Sequence, residues 1–234
     1  AEIQGLIIPK KLPDFPTAAL GAFTAPAIGV SGDYFDIIQT RKDRLLLAVG
    51  DVAGKGVAAA LVMVMVRSIL HLVANTDKDV ATMLSWINRG ITGKIEMDHY
   101  ATLGLVSVDL ATGGIEYANA GHQPLLIFRA SEDGIESVEM KSIPIGVERG
   151  MSYSKKTLSL RNGDMLLLYT DGVVESMNAQ GRQFGRKNLG TSLLRSRELS
   201  ARETALRIRS DLANFAGEAR QHDDQTVLVM KMKL

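Results

Sequence analysis

The chain has 234 residues, 46% of them hydrophobic and 23% charged, enough to bury the core of one enzyme-sized domain. Its 27 basic and 26 acidic residues leave a net charge of +1 without any block of five or more Lys or Arg, which argues against a nucleic-acid surface. With no cysteine, thiolate catalysis, thiolate zinc sites and disulfides are excluded, so the chemistry must come from oxygen or imidazole groups.

At the start, Ile3, Leu6 and Ile7 fall at helical spacing and Pro9 ends the pattern, so residues 1–10 read as the tail of a longer helix. That implies a module whose partner domain lies upstream, with the domain proper over 11–234. Tyr34 to Thr40 and Arg44 to Gly50 predict a hairpin around Arg41-Lys42-Asp43, which places Asp36 opposite Gly50 and Asp33 near Val52 and Ala53. Residues 57–75 follow as a helix apolar on nearly every face, as expected of one sandwiched between layers or against a partner. Its longest apolar run stops at Arg67, at about half the length of a membrane span. No signal peptide opens the chain, so a soluble cytoplasmic protein with no membrane in this segment is expected.

Asp79 caps a second predicted helix carrying Val80, Met83, Leu84, Ile87 and Ile91. Strands over 101–109, 115–120 and 124–129 read as a meander, followed by weaker ones at 135–141 and 153–160 and a strong one at 164–170. Ser200-Ala201-Arg202-Glu203 is a capping box that opens a helix with Ala205, Ile208, Leu212 and Phe215 on one face, and the last strand spans 226–233. Strands joined mainly as hairpins, with helices in pairs and at the end, argue for an α+β fold of two antiparallel sheets with helices outside.

The chemistry is concentrated at strand ends. Leu45-Leu46-Leu47-Ala48-Val49-Gly50 runs into Asp51, and Met165-Leu166-Leu167-Leu168-Tyr169-Thr170 runs into Asp171. Gly32-Asp33-Tyr34-Phe35-Asp36 precedes one strand and Asp223-Asp224-Gln225-Thr226 another. Ionised carboxylates about 5 Å apart repel by roughly 3 kcal/mol at an effective dielectric near 20, so such a cluster calls for a cation. Oxygen donors select Mg²⁺ or Mn²⁺, and a pair of such ions can acidify a water and neutralise a phosphoryl oxygen, giving hydrolysis without a covalent intermediate. The bland alternative is that Asp and Gly mark turns; four such points in one context weigh against it. Gly50 to Gly56 is not a nucleotide loop, because its glycine spacing is one short and Gly56 stands where Ser or Thr is needed. Lys55 and His222 read as solvated loop residues, His122 as a turn stabiliser, and His71 and His99 lack ligand spacing.

Five segments carry a resemblance: Ser31-Gly32-Asp33-Tyr34-Phe35-Asp36, Gly50-Asp51-Val52-Ala53-Gly54-Lys55-Gly56, Tyr117-Ala118-Asn119-Ala120-Gly121-His122-Gln123-Pro124, Leu168-Tyr169-Thr170-Asp171-Gly172-Val173 and Asp223-Asp224-Gln225-Thr226. In order and spacing the chain resembles the SpoIIE/RsbU-type branch of the metal-dependent protein phosphatases, which are type 2C-like. The resemblance implies an αββα sandwich that hydrolyses phosphoserine or phosphothreonine on a protein with two Mn²⁺ or Mg²⁺ ions, by attack of a metal-bridging water. The catalytic set it implies is Asp33, Asp51, Asp171 and Asp223. Asp51 would bridge both ions and the Val52 carbonyl would complete one site. Asp33 and Asp171 would hold the ions from facing strands, Asp223 would close the cage, and Asp36 and Asp224 would serve as supporting or water-mediated metal ligands.

The family's usual substrate is a phosphorylated anti-sigma-factor antagonist of the STAS fold, which implies partner switching in a bacterial stress response. Glu2-Ile3-Gln4 resembles the linker helix that joins a sensory or receiver domain to the phosphatase, and a homodimer through that helix is one arrangement it allows. Pressure from the linker on the 57–75 helix would then move the Asp51 turn. This branch lacks the N-terminal arginine that clamps phosphate in eukaryotic-type relatives, so no residue is assigned to the substrate phosphate. The alternative is a non-catalytic partner-switching module; the presence of every expected aspartate favours the enzyme.

Overall fold

Strand pairing sorts the chain into two five-stranded antiparallel sheets. The computed structural model describes residues 9, 11–27, 31–54, 56–94 and 100–234; the helix expected over 1–10, apart from Pro9, lies outside them, as do Lys55 and His99. In chain order the elements are β1 (Ala18–Ala25), β2 (Asp33–Arg41), β3 (Arg44–Val52), α1 (Val57–Ala74), α2 (Val80–Ile91), β4 (Ala101–Asp109), β5 (Gly114–Ala120), β6 (Leu125–Arg129), β7 (Gly134–Val138), β8 (Lys155–Ser159), β9 (Met165–Tyr169), α3 (Asp171–Val174), α4 (Gly185–Arg195), α5 (Ala201–Ala216) and β10 (Gln225–Met232). They fall into two compact units. The first draws on Gly29–His122 and Glu139–Ser159, the second on Leu12–Ile28, Gln123–Val138 and Leu160–Leu234.

The first unit holds the sheet β2-β3-β4-β5-β8. The predicted hairpin forms, but its register differs from the expected one. A two-residue loop, Lys42-Asp43, and an irregularity between Gln39 and Arg41 set Asp36 opposite Ala48 and Asp33 directly opposite Asp51, because loop length fixes hairpin register. β3 is apolar from Leu45 to Val49 because both its faces are buried there: Leu45, Leu46, Leu47, Ala48 and Val49 are at most 1% exposed.

Helix α1 buries Ala59, Val62, Met63, Val66, Leu70 and Val73, a stripe of period 3.6. That stripe meets Leu46 and Ala48 of β3, Leu103 and Leu105 of β4, and Val80, Leu84, Ile87 and Ile91 of α2 in one core. Each large side chain buried there contributes about 1.5–3 kcal/mol. The other side of α1 leaves Val57, Leu61 and Leu72 at 72%, 60% and 73% exposure, so its apolar surface is not covered all round by the described residues. By length and composition alone α1 would pass for a membrane span, yet it supplies a stripe of the unit's core. Helix α2 begins where predicted, with the Asp79 carboxylate accepting from Thr82 N at 2.9 Å.

The second unit holds the sheet β1-β10-β9-β6-β7. The predicted meander is therefore broken after β5. Pro124 has no N–H to continue a ladder, and β6 pairs with β7 and β9 instead. Helix α5 starts on the predicted capping box, Ser200 Oγ accepting from Glu203 N and Glu203 Oε2 from Ser200 N, and buries Ala205, Ile208 and Leu212. Phe215 meets Phe184 edge-on, with ring centroids 5.3 Å apart. β1, α3 and α4 were not predicted.

Candidate metal centre

Four of the six expected aspartates stand as two pairs, one in each unit. In the first, the β2–β3 register makes Asp33 and Asp51 direct cross-strand partners, and partners in an antiparallel ladder project from the same face at Cβ separations of about 4.5–5.5 Å. Asp33 is 3% exposed and its N–H donates to Ser31 Oγ at 2.9 Å. The turn that carries Asp51 is clamped through its backbone: Val52 N donates to Gly32 O at 3.3 Å and Ala53 N to Tyr100 O at 2.8 Å. Gly32 permits this approach, since a Cβ there would lie 2.8 Å from Val52 O and 3.2 Å from Asp51 Oδ1. The Val52 carbonyl is thus held at the same corner as the Asp51 carboxylate.

Asp36 has other partners. Three residues after Asp33 on a strand, it projects from the opposite face, towards α1. Its carboxylate accepts from Tyr34 Oη at 2.7 Å and Ile37 N at 2.8 Å, stands 2.6 Å from His71 Nε2 and 3.5 Å from Arg67 Nε. Burial first, then the Asp36 charge and hydrogen bond, hold the Tyr34 phenol well above its ordinary range, against an opposing pull from Arg67. His71, which carried no sequence signal, is therefore a structural partner of Asp36.

In the second unit, Asp171 opens α3 directly after β9. Thr170 N donates to Thr226 O at 3.1 Å, and Thr226 N to Thr170 Oγ1 at 2.9 Å, stapling the end of β9 to the start of β10. The backbone of Asp223-Asp224 then packs on Gly172, where a Cβ would lie 1.9 Å from Asp224 O. Burial, then the Asp223 charge, then that of Glu175, raise the Asp171 carboxyl above its ordinary 3.8, opposed by the Gly172 N–H. Asp224 differs from Asp223: its Oδ1 accepts from Ala27 N at 2.7 Å and fixes the chain after β1, while Asp223 Oδ1 accepts from Asp224 N at 3.0 Å. Gln221 Nε2 donates to both Asp223 O and Ala25 O at 2.7 Å.

Among the described residues no three His, Asp or Glu side chains form a ready-made cage. Each pair alone has the chemistry a hard divalent cation needs: oxygen donors only, like charges held close by backbone bonds, and at Asp171 a carboxyl destabilised as an anion by its neighbours. The residues present fit such an ion.

The SpoIIE family model, described as stage II sporulation protein E, matches residues 41–233. The chain belongs to the SpoIIE family. It is 26% identical to the phosphoserine phosphatase RsbU of Bacillus subtilis over 234 residues, covering 100% of this chain and 69% of that protein. Among solved structures, the RsbU and RsbW domains of Rv1364c from Mycobacterium tuberculosis superpose with a TM-score of 0.76 at 28% identity, over 93% of this chain and 60% of that one. The PP2C phosphatase domain of SpoIIE from Bacillus subtilis gives a TM-score of 0.79 at 21% identity, over 92% of this chain and 63% of that one, which shows a shared PP2C-like α+β fold of two antiparallel sheets with flanking helices.

Proposed function

We propose that this SpoIIE-family chain is the catalytic domain of a Mn²⁺- or Mg²⁺-dependent serine/threonine protein phosphatase. The observation that carries the reading is the register pairing of Asp33 with Asp51 at a strand end, beside the Val52 carbonyl. RsbU, a phosphoserine phosphatase by name, matches along the whole chain and supports serine phosphatase activity here. Asp33, Asp51 and the Val52 carbonyl would hold divalent ions from the first unit, and Asp171 and Asp223 from the second. Asp224 supports Asp223 through its bond to Ala27. When bound, two such ions supply a water acidic enough to attack at neutral pH and positive charge for the phosphoryl oxygens.

The reaction served is phosphomonoester hydrolysis. Water adds to phosphorus, the P–O bond to the side chain breaks, and orthophosphate and a free hydroxyl leave. The rigid backbone clamps at Gly32 and Gly172 keep the paired carboxylates from splaying, and orientation of this kind supplies much of a catalytic site's effect. A phosphorylated STAS-type antagonist is the substrate this reading favours, in the cytoplasm, under control of an upstream sensory or receiver domain, with the N-terminal helix available for homodimer formation.

The test is phosphate release from phosphorylated STAS proteins with and without Mn²⁺. Asp51→Asn and Asp171→Asn are each expected to abolish metal-stimulated release while circular dichroism shows the fold retained. Hydrolysis that ignores Mn²⁺, or survives either substitution, overturns the reading. A partner complex that persists in Asp171→Asn, with no hydrolysis by the parent, selects a non-catalytic module instead.

A further inference from the structure

A polar chain outside the aspartate pairs ends on the Asp51 turn. Thr102 is the β4 residue directly across from Asp51, so Asp33, Asp51 and Thr102 stand side by side across three strands on one face of the sheet. The Thr102 hydroxyl lies 3.4 Å from the Asp51 carbonyl oxygen and 2.9 Å from His122 Nδ1. His122 is 8% exposed and is fixed through its backbone: its N–H donates to Asn119 Oδ1 at 2.7 Å, and Asn119 Nδ2 donates to His122 O at 2.9 Å and to Tyr117 Oη at 2.6 Å. Asn119 is itself 1% exposed. Buried polar groups persist where their hydrogen bonds are made, and here those bonds hold one imidazole against one hydroxyl.

A hydroxyl has a single proton to give. If Nδ1 carries the imidazole proton, it donates to Thr102 Oγ1, and the Thr102 proton is left for the Asp51 carbonyl. The relay then has one direction and ends on the Asp51–Val52 peptide, which sits between the Asp51 carboxylate and the Val52 carbonyl. We propose that Thr102 and His122 are positioning residues that fix this peptide in its ion-binding geometry. The inference rests on the phosphatase reading of the site, and it accounts for the Asn119-Ala120-Gly121-His122 segment, which the ion-binding groups themselves do not use.

Mn²⁺ binding to the full chain, followed by electron paramagnetic resonance of the free ion, tests this together with urea unfolding. Groups that orient metal ligands typically change affinity by roughly 10- to 100-fold when removed. Thr102→Val, which keeps the shape and loses the hydroxyl, is expected to weaken Mn²⁺ binding about tenfold, and Thr102→Ser to restore it. His122→Ala is expected to weaken binding similarly, His122→Asn less, and the Thr102→Val/His122→Ala double variant no more than either single one. If Thr102→Val does not fold, the Ser, Ala and Asn variants still read the same chain. Parent-like affinity in Thr102→Val or His122→Ala, or equal loss in Thr102→Val and Thr102→Ser, overturns the proposal and leaves the phosphatase reading standing. A parent chain that takes up no Mn²⁺ overturns both.

Discussion

Replacing Gly172 by alanine tests the most compressed contact of the second unit. The new Cβ would lie 1.9 Å from Asp224 O, 3.0 Å from Asp224 C and 3.3 Å from Asp223 C. Gly172 does not occupy the left-handed backbone region, so the cost is steric, not conformational. Ordinary contact begins at 3.4 Å, so the Asp223-Asp224 segment or the start of α3 must retreat by about 1.5 Å. All three blocking atoms are backbone, and the Thr170–Thr226 bonds tie the two segments together, which removes the cheap route of rotating a side chain. Overpacking of this kind costs about 1–3 kcal/mol, and rigid partners place Gly172→Ala near the upper limit. A shift of that size also separates Asp171 from Asp223. Since about 1.4 kcal/mol is a factor of ten, Mn²⁺ affinity should fall at least tenfold. Urea unfolding reads the first effect and Mn²⁺ titration the second. Gly150→Ala, with nothing within 4 Å of its Cβ, is the control and should stay within about 0.5 kcal/mol. Parent-like stability and Mn²⁺ affinity in Gly172→Ala would refute the argument from close approach.

Asp36→Ala should destabilise the fold by about 1–3 kcal/mol, because it leaves the buried Tyr34 hydroxyl without its acceptor, while Mn²⁺ affinity stays parent-like; the reverse pattern would return Asp36 to the ion site. The raised Asp171 carboxyl gives a pH signature. Protons compete with the cation, so Mn²⁺ affinity should climb with pH through that raised value and then level. In the metal-free chain the folded state binds the proton more tightly than the unfolded state, so stability should fall as pH rises from 3.8 towards it. Asp223→Asn should lower the Asp171 titration as seen by carboxyl NMR, and an unmoved titration would contradict the pairing. Asp79→Ala removes the α2 cap and should cost about 1 kcal/mol in urea unfolding; no loss would mean that the Thr82 bond contributes nothing.

Long apolar strands announced themselves: β3, β9 and β10 are runs of Leu, Val and Met that nothing else could bury. Their pairing was less visible. The irregularity between Gln39 and Arg41 shifted the β2–β3 register, and it arises from local geometry rather than from composition. β1, with the sequence AALGAFTA, has weak strand propensity; it forms because eight residues pair with β10. α4 is polar and opens on Gly185, with Leu189 and Leu193 as its only large buried side chains, too faint a period to read. At the site, Asp51 and Asp171 were legible because an apolar strand ends on each. Asp36 was read as a supporting ligand beside Asp33, although strand parity sets the two apart: Tyr34 and Asp36 share a face that Asp33 does not. Thr102 gave no local signal, since its role depends on standing opposite Asp51.

The two units reach the same arrangement by different routes. In the first, an antiparallel ladder sets Asp33 against Asp51, a placement that like charges disfavour, and the apolar pairs further along β2 and β3 hold the register against it. In the second, a helix start and a strand start are stapled through Thr170 and Thr226, and burial adds to the repulsion at Asp171. Neither pair is a by-product of turn formation, because a turn needs no second carboxylate beside the first. A chain lacking cysteine that twice holds carboxylates together, with a glycine beside each pair so that backbone can close in, gathers at both places the oxygen donors that suit a hard divalent cation. That shared donor chemistry, more than any single aspartate, is what the proposed ion-dependent hydrolysis rests on.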